Sequence, residues 1–307
     1  MKKPIFRLTG KLAGVVDRPS SNLSDVFEPG TEKLKTEVLH NIQRGLSTIS
    51  SYLSKEHPGV KITHYEIVGA AVTFQYTPKS DVDTTVFINI PETDPRFKVI
   101  NDWIGENVDN TMYFGKRPFQ FKIKPDSSVG AQSANADAIY DPTRERFVKE
   151  QNPSAASVNY TQFVESGSSA ERLEYRRIEE RLRGMVRSWA RVGRKALESG
   201  KPSESRNRKW LEAQAHEMAE ALKRLKKLRG DAYSQPAGYG RMSQNWGRGN
   251  IIFKMMERDG YLELFQLITQ AMRNKQLLHP RNLAASVEQA EKIMNQPVGF
   301  DPTANRE

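Results

Sequence analysis

The sequence contains no cysteine, and this absence excludes several kinds of chemistry at once. Disulfide bonds, zinc sites with thiolate ligands and cysteine nucleophiles all require the missing thiol. The five histidines are scattered along the chain without the spacing of metal ligands, so each is interpreted as a surface or core residue. A chain without cysteine fits a reducing compartment, and a cytoplasmic location is therefore expected.

The sequence also lacks long apolar runs. No stretch approaches the roughly 18 consecutive apolar residues of a membrane span. Only 37% of the residues are hydrophobic, and the mean hydropathy is −0.67. The N-terminus, MKKPIFRLTG, begins with charge but has no apolar core of a secretory signal. These features predict a polar, soluble chain that has no membrane partner.

Acidic residues do not balance the basic ones in one part of the chain. The formal net charge is +10, and residues 171–229 carry 18 Lys and Arg against 9 Asp and Glu, a net of +9. A basic segment of this kind is typical of proteins with a polyanionic partner, most often nucleic acid. We therefore expect RNA or DNA to bind through residues 171–229. The arginines expected on the outer helix faces are Arg172, Arg176, Arg183, Arg187 and Arg194.

A second interpretation accounts for the same composition. The arginines can pair along the helices with neighbouring glutamates, each pair contributing only about 0.2–0.5 kcal/mol. The segment would then be a solvated or protein-facing surface, and the composition alone favours neither interpretation. The glutamates in question are Glu174, Glu179, Glu180 and Glu198.

The residue pattern predicts two domains. Residues 1–150 mix helical and strand periodicities, whereas residues 168–296 show helical periodicity alone. Between them, residues 151–167 are rich in Ser and Asn and are interpreted as a linker. The predicted fold class is α/β, more closely α+β, with a short mixed sheet followed by an all-helical domain.

The first predicted domain contains helices, strands and a hairpin. An i, i+4 apolar rhythm predicts a helix from Thr31 that ends at His57. Asp94-Pro95 begins a second helix, since proline suits the first helical turn. A hairpin is predicted around Asp141. The predicted strands are residues 62–68, 84–90 and 119–124.

Two aspartates, Asp81 and Asp83, stand one residue apart at the head of an apolar run. Side chains alternate along a strand, so both are expected on one face, where two carboxylates would repel each other. A divalent cation relieves that repulsion, and Mg²⁺ usually takes one or two carboxylates together with substrate phosphates and water. The alternative is a pair of residues that caps the turn after Pro78 and Lys79.

A small-residue turn precedes the aspartates by about a dozen positions. Gly69-Ala70 directly follows the predicted strand at residues 62–68. Glycine lets the backbone come close to a ligand, and the N–H groups of such a turn can hold a phosphate. Strand, turn, spacer and Asp-x-Asp together are the constellation that nucleotidyl transfer requires.

The segments Gly69-Ala70 and Ser80-Asp81-Val82-Asp83 resemble the signature of the polymerase-β-type nucleotidyltransferase superfamily. That signature has Gly-Ser or Gly-Gly, a spacer, and Asp-apolar-Asp at the start of a strand. More narrowly, the chain is similar to nucleotidyltransferase-like proteins of tailed bacteriophages. This likeness also covers LKTEVLHNI and FQFKIKPD…ADAIYDPTRERFV, so that it touches about half the chain and leaves out the basic helices.

The resemblance implies an enzyme that transfers a nucleoside monophosphate from an NTP to a hydroxyl acceptor. It implies Mg²⁺ or Mn²⁺ as cofactor, held by Asp81 and Asp83, and nucleotide binding by Gly69, Ala70 and Ser80. For a phage-encoded protein, the expected locations are the host cytoplasm and the virion.

Two positions depart from the family pattern. The serine that normally follows the glycine is Ala70, and the third carboxylate, normally on a neighbouring strand, matches Gln120. Glutamine carries no charge, so a second cation would be held poorly, and Asp126 and Asp137 are the candidates to replace it. These departures favour a weakened descendant that acts as a nucleic-acid-binding or virion-assembly module. The intact Ser-Asp-Val-Asp favours the enzyme, in which Asp81, Asp83 and Gln120 form the catalytic set.

Trp246 lies in the segment SQNWGRGN, and two roles are open to it. An exposed tryptophan can stack on a nucleic-acid base. A buried tryptophan that anchors the entry to a helix is the favoured interpretation.

Overall fold

The computed structural model describes residue 16 and residues 18–77, 80–129, 136–234 and 244–296. These residues form two compact units. The first unit contains the described residues from 16 to 160 together with residues 244–246. The second contains the described residues from 161 to 234 and from 247 to 296.

The first unit is built on a mixed six-stranded sheet. In chain order the strands are β1 (Ile62–Val68), β2 (Val82–Ile88), β3 (Tyr113–Phe114), β4 (Arg117–Pro125), β5 (Ile139–Asp141) and β6 (Arg146–Lys149). Across the sheet they lie in the order β3-β4-β2-β1-β5-β6. β2 runs parallel to β4, and every other neighbouring pair is antiparallel. The prediction of a mixed sheet with helices, followed by an all-helical region, is confirmed.

One face of this sheet forms the core. The helices α1 (Thr36–Glu56) and α2 (Pro95–Asn107) bury their apolar residues with Val82 and Val86 of β2. α1 approaches β4 closely, because a Cβ on Gly45 would lie 2.2 Å from the ring of Phe121. Successive residues of a strand point to opposite faces. The other face of β2 therefore carries Asp83.

The bounds of α1 and β2 differ from the sequence prediction. α1 begins at Thr36 rather than Thr31, because Phe27 and Leu34 pair as an antiparallel bridge just before it. β2 spans Val82–Ile88, two residues earlier than predicted, and so includes Asp83.

The predicted linker at residues 151–167 is wrong for most of its length, where the helix α3 (Pro153–Asn159) forms and a π-helix (Tyr160–Glu165) follows. The Asn152 side chain caps this helix by accepting from the Ala155 N–H at 3.1 Å. Pro153 occupies the first helical position, where its missing N–H has no cost.

The second unit contains only helices among its described regular elements. They are α4 (Ala170–Glu198), α5 (Arg208–Ser234), α6 (Arg248–Arg258), α7 (Tyr261–Arg273) and α8 (Pro280–Met294). The buried Trp189 of α4 donates from Nε1 to the Ser286 hydroxyl of α8 at 3.2 Å. A Cβ on Gly193 would lie 2.5 Å from Val287, so α4 and α8 pack closely.

Apolar residues of α4 and α5 contribute to the core of this unit. Leu182 and Val186 of α4, and Leu211 and Met218 of α5, are buried. None of the helices in the part of the chain that the structure describes has the length and hydrophobicity that a membrane crossing requires.

Candidate functional site

The aspartate pair lies where β2 begins. Asp81 immediately precedes the strand and is 8% exposed, whereas Asp83 is its second residue and is half-buried. Asp83 is paired with Val68 at the end of β1 on one side and with Gln120 of β4 on the other. The structure therefore brings Asp83 and Gln120 to adjacent positions on neighbouring strands.

Gly69 determines how Asp83 fits against the end of β1. Its backbone has φ 83° and ψ −168°, a region that glycine alone adopts readily. A Cβ at this position would lie 2.3 Å from the Asp83 Oδ2 atom. Both the conformation and the contact require glycine, so the carboxylate of Asp83 packs directly on this turn.

Ala70 and Ser80 have local roles in the loop between β1 and β2. Ala70 begins a 3₁₀ turn, and its C=O accepts from the N–H of Thr73 at 3.1 Å. Ser80 is fully buried, and its hydroxyl accepts from the N–H of Thr77 at 2.9 Å. The Ser80 C=O accepts from the guanidinium of Arg117 at 3.0 Å. These hydrogen bonds of Ser80 stabilise the segment that leads into β2.

The loop around Pro78 and Lys79 was named as an alternative reason for the aspartate pair. Both residues lie outside the described residues.

The third-ligand position is occupied by a fixed amide. Gln120 Nε2 donates to Asn110 Oδ1 at 3.3 Å. Asp109, which the sequence analysis did not single out, lies close by and accepts from the Phe121 N–H at 2.7 Å. This bond satisfies a backbone donor of β4.

The two aspartates named as candidates to replace the missing third carboxylate form hydrogen bonds with other residues. Asp126 accepts from the Thr63 hydroxyl at 2.8 Å, and Asp137 accepts from the Asn245 amide at 3.0 Å. Neither residue is among the described side chains that line the space beside Asp83. The expectation that one of them stands in for the third ligand is therefore not supported by the geometry.

A cavity of about 410 Å³ opens beside Asp83 and Gln120. Its lining also includes Asp109 and two lysines of β4, Lys122 and Lys124. The lysines lie two and four positions after Gln120 and so share its face of the strand. One cavity therefore combines carboxylates, an amide and two cationic groups.

A buried carboxyl group lies further along the same face of the sheet. Glu66 of β1 is 3% exposed and pairs across the sheet with Thr85. Burial raises the pKa of its carboxyl above the ordinary value, and nearby Asp141 raises it further. His64, whose Nε2 lies 3.4 Å from Glu66 Oε1, and Lys124 act in the opposite direction.

Two carboxylates, those of Asp81 and Asp83, lie at the head of β2. Among the described residues, no group of three His, Asp or Glu side chains is arranged to hold a metal ion. Two carboxylates suffice for Mg²⁺ when water and substrate phosphates complete its shell. A second cation would need a ligand where Gln120 stands, and an amide supplies no charge.

The basic helices differ in part from the prediction. Arg176 and Arg187 of α4 are exposed, as expected. Arg172 is only 8% exposed, so its predicted outer position is wrong. Arg194 is exposed but forms an ion pair with Glu291 of α8.

Arg183 is also wrongly predicted as an outer-face residue. Its side chain is 12% exposed and lies 3.3 Å from the Glu179 carboxylate. Its Nη2 donates to the C=O groups of Met294 and Gln296 at 3.0 and 2.8 Å. This arginine therefore joins α4 to the residues that end α8.

Trp246 is fully buried and presents no face to a base. The favoured interpretation of a buried tryptophan at a helix entry is confirmed.

No model of a known protein family matches the sequence. No curated protein shows significant similarity to it either.

Three charged residues of the cavity were not predicted from the sequence. Lys122 and Lys124 were detectable, because the alternation in FQFKIK places them on the Gln120 face. Asp109 carried no such signal. It lies just beyond α2, and its approach to β4 depends on how that helix packs.

We predict that Gly69→Ala lowers the affinity for Mg²⁺ and an NTP together, because the new methyl group displaces the Asp83 carboxylate. The strained backbone also costs about 1–3 kcal/mol of unfolding free energy. The matched control is Gly59→Ala, since Gly59 has φ +90° but no atom within 4 Å of an added Cβ. Calorimetry and urea unfolding separate the effects. Equal loss of ligand affinity in both variants would contradict the role of Gly69.

A second prediction concerns the buried Glu66. The pKa of Glu66 is raised in the folded protein. Protonated Glu66 therefore stabilises the fold at pH values below the ordinary pKa of 4.5, and this stabilisation is lost as pH rises through the folded value. Glu66→Gln resembles the protonated carboxyl, so its stability relative to wild type should increase from pH 4 to pH 7.5. Urea unfolding at both pH values measures this, with exposed Glu106→Gln as control. A pH-independent difference would show that the raised pKa does not govern stability.

Proposed function

We propose that the first unit is a nucleotidyltransferase site of the polymerase-β type. It would bind a nucleoside triphosphate with one divalent cation, Mg²⁺ or Mn²⁺, and transfer the nucleoside monophosphate to a hydroxyl acceptor. The observation that carries this proposal is the packing of Asp83 on Gly69, with Asp81 just before it and the polar cavity beside it. The strand–turn–strand order of β1 and β2 agrees with the signature.

The residues at the head of β2 supply what the reaction needs. Asp81 and Asp83 would hold the cation, which neutralises phosphate charge when bound. The acceptor oxygen bonds to the α-phosphorus, and the bond from that phosphorus to the bridging oxygen breaks. Pyrophosphate leaves with the electron pair, and the hydroxyl proton passes to water. The resemblance to tailed-phage proteins extends the proposal to a cytoplasmic protein of an infected host, or one carried in the virion.

The direct test uses Asp81→Asn and Asp83→Asn. Each change removes a charge but little volume, so the affinity for a Mg²⁺–NTP mixture should fall at least about tenfold, equal to 1.4 kcal/mol. Asp126→Asn is the control, because Asp126 is an exposed carboxylate of the same unit. Calorimetry gives the affinities, and labelled NTP with cell extract reveals the acceptor. Unchanged affinity in both site variants would contradict the proposal.

A second candidate function, nucleic-acid binding, is favoured by one stripe of α4. Arg176, Arg187 and Arg191 are exposed and recur on the same side of the helix. Among the described residues, no carboxylate lies within 4.0 Å of their guanidinium groups, in contrast to Arg183 and Arg194. We infer that this stripe contacts the phosphates of RNA or DNA, with little sequence preference.

A salt titration tests the stripe. The logarithm of the affinity falls as the logarithm of the salt concentration rises, and each lost phosphate contact reduces the steepness of this fall by about 0.7–0.9. Arg176→Gln/Arg187→Gln/Arg191→Gln should therefore flatten the slope by roughly two units between about 50 and 200 mM salt. The control changes three exposed cations of the same unit: Arg273→Gln/Lys275→Gln/Arg281→Gln. Absence of binding by the wild type at the lowest salt would eliminate the nucleic-acid partner.

A further inference from the structure

Two lysines of β4 line the same cavity as Asp83. Gln120 is the β4 partner of Asp83, and Lys122 is the β4 partner of Thr85, the next residue of β2 on that face. Lys124 follows one further step along the strand. A strand rises about 3.3 Å per residue, so the two lysines begin roughly 7 and 13 Å from Gln120 along β4.

The two lysines carry like charges, and one of them is partly removed from solvent. Lys122 is exposed, whereas Lys124 is half-buried. Burial lowers the pKa of Lys124 and the charge of Lys122 lowers it further, while the carboxylates of Glu92 and Glu66 act in the opposite direction. Within the described part of the chain, neither ammonium group has a carboxylate within the 4.0 Å of an ion pair. Two neighbouring cations on one face repel each other, and this favours an anion between them.

The neutral residue at the third-ligand position leaves a role for the two lysines. Gln120 is neutral and bonded to Asn110, so this strand position offers no carboxylate for a second cation. A triphosphate that carries one divalent cation retains negative charge. The two ammonium groups lie on the strand that would otherwise contribute the third carboxylate.

We propose that Lys122 and Lys124 bind the phosphate chain of the substrate and take the place of a second cation. This inference rests on the proposed function, since it assigns these lysines to the same site. It defines the substrate as a molecule with a chain of phosphates, recognised in part without metal. An enzyme of this design uses one cation and two fixed ammonium groups.

The test is the binding of inorganic triphosphate in the presence of EDTA, at about 50 mM salt, where screening is modest. Lys122→Gln/Lys124→Gln should bind it at least about tenfold more weakly than wild type, because both charge-assisted contacts to the phosphates are lost. The matched control is Lys61→Gln/Lys116→Gln, which removes two exposed lysines of the same unit that do not line the cavity. Lys122→Arg/Lys124→Arg keeps the charge and should retain binding, and circular dichroism confirms folding.

The same titrations separate this inference from the proposed function. Asp81→Asn/Asp83→Asn should bind triphosphate in EDTA at least as well as wild type, because it removes negative charge, yet lose the strengthening that Mg²⁺ gives. Wild-type triphosphate binding that is absent, or that survives the Lys→Gln changes, overturns the lysine assignment and leaves the proposed cation site standing. Lysine-dependent binding with unchanged Mg²⁺–nucleotide affinity in the aspartate variant supports the lysine assignment and contradicts the proposed function.

Discussion

The first unit depends on one constraint: only one face of its sheet can be buried beneath α1 and α2. Val82 and Val86 take that face, so the alternation of β2 turns Asp83 and Thr85 to the other. A shift of one residue would exchange the two sets and put Asp83 in the core. The position of the candidate site is therefore determined by apolar burial, each large core side chain contributing about 1.5–3 kcal/mol.

The polar face collects features that oppose stability. Gly69 has a backbone conformation that other residues adopt only with strain, Glu66 is buried, and Lys122 and Lys124 repel each other. In α2, by contrast, local preference and packing agree, because Asp94 caps the helix by accepting from a backbone N–H. A patch that collects such conflicts is typical of functional sites, where the rest of the fold compensates for it.

Local patterns predicted much of this molecule, and distant contacts account for the misses. β1 was predicted with its observed bounds, and alternation predicted the strand that carries Gln120, because period-two burial is encoded in adjacent residues. The place of Gln120 beside the aspartate strand was an expectation from the resemblance, and β4 does pair with β2 there. Arg183 was wrongly placed outside because its acceptors lie more than a hundred residues away. The helix α3 was missed because Ser and Asn suggested a linker, although Asn152-Pro153 is a helix start.

Two separate segments of the chain form the first unit, and this affects when that unit can finish folding. Residues 244–246 belong to it, although α4 and α5 come earlier in the sequence. Asn245 reaches Asp137 across 108 positions, and pairings at such separation form slowly because a long loop must close. On the ribosome, the sheet with its helices can assemble first, but its last segment arrives only after two long helices have been made. A chain cut after Tyr160 would lack that segment permanently.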